Sequence, residues 1–434
     1  MIAGEEIIEG GVLIEGGRIA AIINEEAGDK YDEEGVEVVD LGGKLVMPGV
    51  IDGHVHFREP GHTYKEDFES GSRAAVSGGV TTVFDMPNTK PPTFSVEALN
   101  EKRKHVSGRS YVNYGFFIGF NGSNLDEIND SKNVAGVKVY CANSTGDLGV
   151  SPDFYEDVFT KINRDKRLHF HSEDEDCIEE RQRQYLAEFE NREIDPSVHS
   201  KIRAPECAVM MTKKLCELAK KHDRPIHICH VSLPEELQII EDYGELVTCE
   251  VAPHHLTLST DDYAHFGNYV RMNPPVREKM EVFGMWKGLL MGQVDFIATD
   301  HAPHTREEKE APYREAASGV PGVEMALPIF LNSVSNEGIS ILEVVKLMCS
   351  APAKYFGLKT KGEIGVGFDA DIVVADMDLE KEFKDKDVVS KCGWSPYSGG
   401  VYKGWPVMTF VGGKLKYKHG KILGEGEGKE VNFE

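Results

Sequence analysis

Eight short apolar stretches, six of them with a polar residue at or near the C-terminal end, constrain this chain more than any other feature. They are Val46–Asp52, Thr81–Met86, Tyr111–Phe117, Gly136–Tyr140, Arg167–His171, Pro225–His230, Leu246–Ala252 and Asp295–Thr299. Helical stretches fall between several of them, such as Lys65–Val76 before the Gly78-Gly79 stop and Pro205–His222. Repeated strand–helix alternation predicts a (β/α)8 TIM-type barrel over residues 46–361. The alternative is an open doubly wound sheet. A glycine-rich dinucleotide loop would favour it, and none follows the first stretch.

Both ends of the chain have a different texture. Gly11–Ile14, Arg18–Ile22 and Val36–Val39 are short apolar stretches broken by glycine and acidic turns. The pattern returns after residue 361, in Gly362–Gly365, Asp371–Val374 and Val407–Lys414. These are hairpin-type strand signals. They predict one small β domain built from residues 1–45 plus 362–420. The last stretch, 421–434, is rich in glycine and charge and reads as a flexible tail.

Composition narrows the partners. Among 434 residues, 48 are basic and 73 acidic, a formal charge of −25. Such a field repels nucleic acid and anionic lipid, so neither is expected as a partner. Acidic runs such as Glu173–Asp176 read as solvated faces. No apolar run reaches the roughly 20 residues of a membrane span, and the start, MIAGEEIIEG, lacks a signal-peptide pattern. Eight cysteines without CxxC spacing read as reduced thiols in a cytoplasmic protein.

The polar residues at the strand ends carry the chemistry. His54 and His56 follow the first stretch at spacing i, i+2, so an extended backbone turns both imidazoles to one face. Two convergent neutral imidazoles suit a zinc-like ion. His171, His230 and Asp300 end three other stretches, and Asn88 and Lys138 two more. Each has a plainer reading: a chance HxH, a helix-capping Asp300, a Lys138 on a wet sheet edge. Gathered at the C-terminal ends of six strands, where barrel active sites are assembled, they fit a metal centre better. An ammonium inside Val137-Lys138-Val139-Tyr140 is costly to bury. An amine that captures carbon dioxide becomes an anionic carbamate able to bridge two cations. By alternation His169 shares a face with His171, and His227 lies opposite His230.

The segments GVIDGHVHFREPGHTYKED, TTVFDMPNTKPPT, GVKVYCANSTG, HFHSEDED, ICHVS, EVAPHHLTLS, MNPPVRE, IATDHAPHTREEK and GVPGVEMALP occur in this order. Together they resemble the cyclic amidohydrolases, and within them the dihydroorotases, over about residues 1–420. The resemblance implies two zinc ions per subunit. His54, His56 and Asp300 would hold one and His171 and His230 the second, with carboxylated Lys138 and a hydroxide as bridges. Asp300 would also serve as general base and then general acid. Some relatives bridge with an aspartate, for which Asp147 is the fallback. The implied reaction is reversible hydrolysis of dihydroorotate to N-carbamoyl-L-aspartate. A homo-oligomer or association with aspartate transcarbamoylase are the implied partners.

Arg58 and Asn88 bear on the substrate. Arg58 lies two residues beyond His56 and offers a planar fork suited to a carboxylate; the FREPG pattern resembles the signature that grips the ring carboxylate. Its plainer reading is a surface turn residue, and that of Asn88 is an Asx turn. The resemblance adds His304 beside the carboxylate, and Asn273, Pro321 and Gly322 as ring contacts. His254 and His255 stay outside the ligand set. The charged segment Thr305–Ala317 reads as a mobile cover. An allantoinase or hydantoinase, whose rings lack the carboxylate, is the competing enzyme; a non-catalytic scaffold should lack part of the constellation.

Overall fold

The computed structural model describes residues 1–4, 6–25, 35–143, 148–187, 189 and 193–433. Asp147 falls outside them. Eight strands form the central ring: β1 Val50–Val55, β2 Val80–Asp85, β3 Asn113–Phe116, β4 Val137–Tyr140, β5 Leu168–His171, β6 Ile226–Ile228, β7 Val247–Val251 and β8 Phe296–Ile297. Neighbours pair in parallel in this order. The step from β3 to β4 is made through Ile118–Gly119, which pairs with β4. Closure from β8 to β1 rests on the His56 N–H donating to the His301 carbonyl (2.8 Å) and on Asp52. Its carboxylate accepts both the N–H and the O–H of Thr299, at 3.0 and 2.6 Å. The fold is therefore the barrel expected from strand–helix alternation.

Two element boundaries differ from the sequence reading. The stretch Val46–Asp52 is two strands, because the chain changes sheets at Gly49. Leu45–Pro48 pairs antiparallel with Ile372–Ala375 in the outer sheet, and β1 begins at Val50. A Cβ at Gly49 would lie 2.1 Å from the Thr81 hydroxyl oxygen, so only glycine passes there. The first helix starts at Phe68 rather than Lys65. Asp67 caps it by accepting the Ser70 N–H at 2.8 Å while the Ser70 hydroxyl oxygen accepts the Asp67 N–H.

The outer sheet runs in the order Lys421–Ile422, Lys414–Lys418, Val401–Val411, Ile372–Glu382, Leu45–Pro48. The N-terminal hairpin, Gly10–Glu15 with Arg18–Asn24, joins it through Ile19 N–H to the Phe368 carbonyl (2.9 Å). The two chain ends thus meet by backbone hydrogen bonds.

Residues 421–433 are not a loose tail. Gly428 N–H donates to Ser110 O, Lys429 O accepts from Tyr114 N–H, and Val431 N–H donates back to Tyr114 O, at 2.8–3.0 Å. The reason is a slot in the barrel wall at Gly115, where a Cβ would lie 2.5 Å from the Phe433 ring. Phe433 packs 5.1 Å from Phe84, centroid to centroid, in a cluster with Ile51, Phe117, Phe296 and Phe356.

Cysteine use also departs from expectation. Cys177 and Cys207, at the starts of helices Glu175–Ala187 and Pro205–His222, form a disulfide across a Cα–Cα distance of 5.6 Å. They are 30 residues apart, so only the fold brings them together. The other six cysteines are free and buried. Among the described residues no helix is long and apolar enough to cross a membrane.

Two stability predictions follow from these contacts. Phe433→Ala should destabilise the fold by about 2 kcal/mol, since the plug is partly buried; an unchanged urea midpoint would contradict the packing argument. Glu324 accepts the Val389 and Ser390 N–H groups at 2.8 and 2.7 Å. Burial, opposed by these bonds, pushes its carboxyl from 4.5 up to about 7. The folded state then keeps a proton that the unfolded chain releases in this window. That stabilisation is complete below about pH 4.5 and lost as pH rises through about 7. Glu324→Gln cannot ionise there, so its stability relative to the native chain should rise by about 2–3 kcal/mol between those limits. Urea titrations at both ends of the window measure the gap, and a constant gap refutes the linkage.

Candidate active site

The C-terminal ends of the strands enclose a small hollow. Its wall includes His54, His56, Lys138, His171, His230 and Asp300, together with Arg58, Asn88 and Asn273. Tyr140, Ala302, Ser318 and Gly319 complete it. The six side chains expected at a metal centre are thus brought to one place from β1, β4, β5 and the ends of β6 and β8. Strand alternation places the first of them. Backbone strain places others: Arg58, His230 and Asp300 have φ of 63°, 38° and 48°, sparsely populated by residues other than glycine. The left-handed turn at His230 breaks strand parity. His227, expected on the opposite side, also packs inside the barrel, stacked on Phe296.

The hydrogen bonds fix which ring nitrogens are free. His54 Nδ1–H donates to Glu250, which leaves the Nε2 lone pair 3.4 Å from Asp300 Oδ1. His56 Nδ1–H donates to Asn88 Oδ1 (2.5 Å), leaving Nε2 2.9 Å from the same oxygen. Two lone pairs and an anionic oxygen then face one point, an arrangement that suits a bound cation. His171 repeats the pattern. Its Nε2–H donates to Glu173 (2.9 Å), and Nδ1 lies 3.1 Å from His230 Nε2. Glu250, Asn88 and Glu173 set the tautomers of His54, His56 and His171, as is usual behind metal-ligating histidines.

Charge states agree with this. Burial, aided by nearby Lys138, lowers His54 to about 4, while Glu250 and Asp300 oppose the shift. Burial likewise holds His171 and His230 below the usual imidazole range, so all three are neutral at pH 7 and free to act as donors to a metal. Burial opposes ionisation of Glu173, but Arg203 and the His171 N–H outweigh it and hold its carboxyl well below the ordinary range. Lys138 is fully buried, and its Nζ has no hydrogen-bond partner among the described residues. An orphaned amine beside two imidazole pairs and a carboxylate fits a binuclear metal centre that supplies its missing partner.

Not every expected residue reaches the hollow. His304 is fully buried behind Arg58, its Nε2 3.1 Å from the guanidinium and 3.0 Å from Ser318 O. Its Nδ1 lies between Glu308 and Lys65, at 3.0 and 3.1 Å. It positions Arg58 instead of facing the hollow. Pro321 and Gly322 line a separate small hollow with His301 and Trp394, because Gly322 N–H donates to His301 Nδ1 at 3.1 Å. Asn273 is present at the wall, with its Oδ1 2.8 Å from His199 Nε2. His169 packs deeper, its Nε2 3.1 Å from the Tyr355 hydroxyl and its ring stacked on Phe356. The segment after His304 is tied down: buried Lys309 donates to Arg271, Ala317 and Gly319 carbonyls at 2.9–3.0 Å.

The sequence reading missed Glu250 and Glu173. Glu250 sits inside the apolar strand β7, the same signal that marked Lys138. Glu173 was assigned to a solvated run, yet it is fully buried against Arg203. Only its following a strand-end histidine by two residues could have separated it from the rest of the run.

Comparison with known proteins agrees with this geometry. The amidohydrolase family model matches residues 45–416. A dihydroorotase of Halobacterium salinarum is 39% identical over 85% of each chain, and one of Pyrococcus furiosus is 34% identical over 98% of this chain and 92% of its own. Among solved structures, L-hydantoinase (dihydropyrimidinase) from Arthrobacter aurescens superposes with a TM-score of 0.90 at 31% identity, covering 97% of this chain and 95% of its own. A D-hydantoinase from Bacillus sp. AR9 gives 0.88 at 27% identity, covering 98% and 96%. A barrel whose strand ends hold such a donor set, matched along nearly its whole length, places this chain in the amidohydrolase family.

Proposed function

We propose that this amidohydrolase is a dihydroorotase, catalysing reversible hydrolysis of (S)-dihydroorotate to N-carbamoyl-L-aspartate. One observation carries the choice of ring: Arg58, buried at the wall beside the histidine pairs, offers a guanidinium in a hollow otherwise built for cations. A carboxylate on the substrate ring answers that charge. Asn88 supports the same reading. Its Oδ1 is committed to His56, so its NH₂ donors remain for an anion. Relatives named dihydroorotase, matched over most of their length, support it further.

His54, His56 and Asp300 would hold one zinc ion and His171 and His230 a second, with carboxylated Lys138 as a shared ligand. Such ions, when bound, lower the pKa of water towards 7 and polarise the amide carbonyl. The chain's own residues do the rest. Arg58 and Asn88 hold the ring carboxylate and fix the amide over the metal side of the hollow, a positioning contribution. His304, packed on Arg58, keeps the guanidinium in place. Asp300 accepts the proton of the attacking water and returns it to the leaving ring nitrogen, acting first as base and then as acid.

A hydantoinase is the second reading, favoured by the solved neighbours. Its ring offers Arg58 no carboxylate. Turnover of dihydroorotate against hydantoin, with metal analysis on the same sample, separates the two. Gel filtration with and without aspartate transcarbamoylase tests the partner and cytoplasmic-pathway side of the same proposal.

Arg58→Met should lower kcat/KM for dihydroorotate by about 10²-fold through weaker binding; an unchanged value removes the carboxylate assignment. Asp300→Asn should leave KM close to native while kcat falls by about 10²–10⁴-fold. Near-native turnover would take Asp300 out of proton transfer.

A further inference from the structure

Tyr140 lines the cavity, and the mechanism above has no use for it. It ends β4, two residues after Lys138, so the two side chains share a strand face. The pairing register sets Lys138 against His169 and Tyr140 against His171, which puts the phenol one layer nearer the mouth. Its ring centroid lies 5.5 Å from Lys138 Nζ and 6.3 Å from the His171 ring. The residue is 3% exposed, and its hydroxyl has no hydrogen-bond partner among the described residues.

Buried hydroxyls are nearly always paired, and this one points to a ligand. A phenol carries its proton at neutral pH, so it can donate. Arg58 and Asn88 already answer the substrate carboxylate. Tyr140 stands beside Lys138 and His171, the side where the amide must react. The geometry assigns Tyr140 as a hydrogen-bond donor to the carbonyl oxygen of the amide being opened. As water adds to the carbonyl carbon, that oxygen gains negative charge and the bond strengthens. When the carbon–nitrogen bond breaks, the carbonyl re-forms. Tyr140 keeps its proton throughout, and Asp300 alone carries the transferred one. A donor aimed at developing charge lowers the barrier more than it tightens ground-state binding.

This assignment rests on the ring-opening reading. Its test is Tyr140→Phe, which keeps the ring and removes the donor. Native and variant enzymes are compared for bound metal, kcat and KM with dihydroorotate and with hydantoin. The expected result is kcat lower by about 10²-fold, with KM and metal content near native. A kcat close to native overturns the assignment. So does loss of bound metal alongside activity, which would make Tyr140 a support for Lys138, and so does a rise in KM alone. If the native enzyme opens hydantoin and not dihydroorotate, the carboxylate reading has failed, and the Tyr140 effect is read on the hydantoin ring instead.

Discussion

Everything at the mouth of this barrel depends on lone pairs that face each other. His54 and His56 each commit one ring nitrogen to an outer oxygen, on Glu250 and Asn88. That commitment turns the other nitrogen of both rings towards Asp300 Oδ1. His171 and His230 meet in the same way, with Glu173 and Arg203 behind. Acceptors set against acceptors in a buried site are unfavourable unless a cation joins them. Glu250, Asn88 and Glu173 therefore matter as much as the rings they orient, because each decides which nitrogen of its histidine faces inward.

The barrel supplies this constraint cheaply. Parallel strands bring residues distant in sequence to one rim, as with Asp300, whose Oδ1 lies 2.9 Å from His56 Nε2. Where the strand path alone would mis-aim a side chain, the backbone leaves its preferred region, at Arg58, His230 and Asp300. Such strain persists only on a rigid support. Part of that support is the apolar layer of Phe84, Phe296 and Phe356, on which His169 and His227 stack. The C-terminal segment closes this layer with Phe433. Charge is local as well: in a chain of formal charge −25, buried Arg58 and Lys138 both line this hollow.

The sequence by itself determined the barrel and the identities of the inward histidines, Lys138 and Asp300. Period-two and strand–helix patterning are local properties, and a polar residue closing an apolar run is visible without a partner. Glu250 was equally legible, being a carboxylate inside an apolar strand. Only the tertiary structure decided the rest. It buried Glu173 completely while Asp176 stayed exposed, drew His304 behind Arg58, sent Pro321 and Gly322 to a different hollow, joined Cys177 to Cys207 and docked the C-terminal segment against Gly115. Each of these turns on which distant atom lies opposite, and one-dimensional pattern carries no information about that distance.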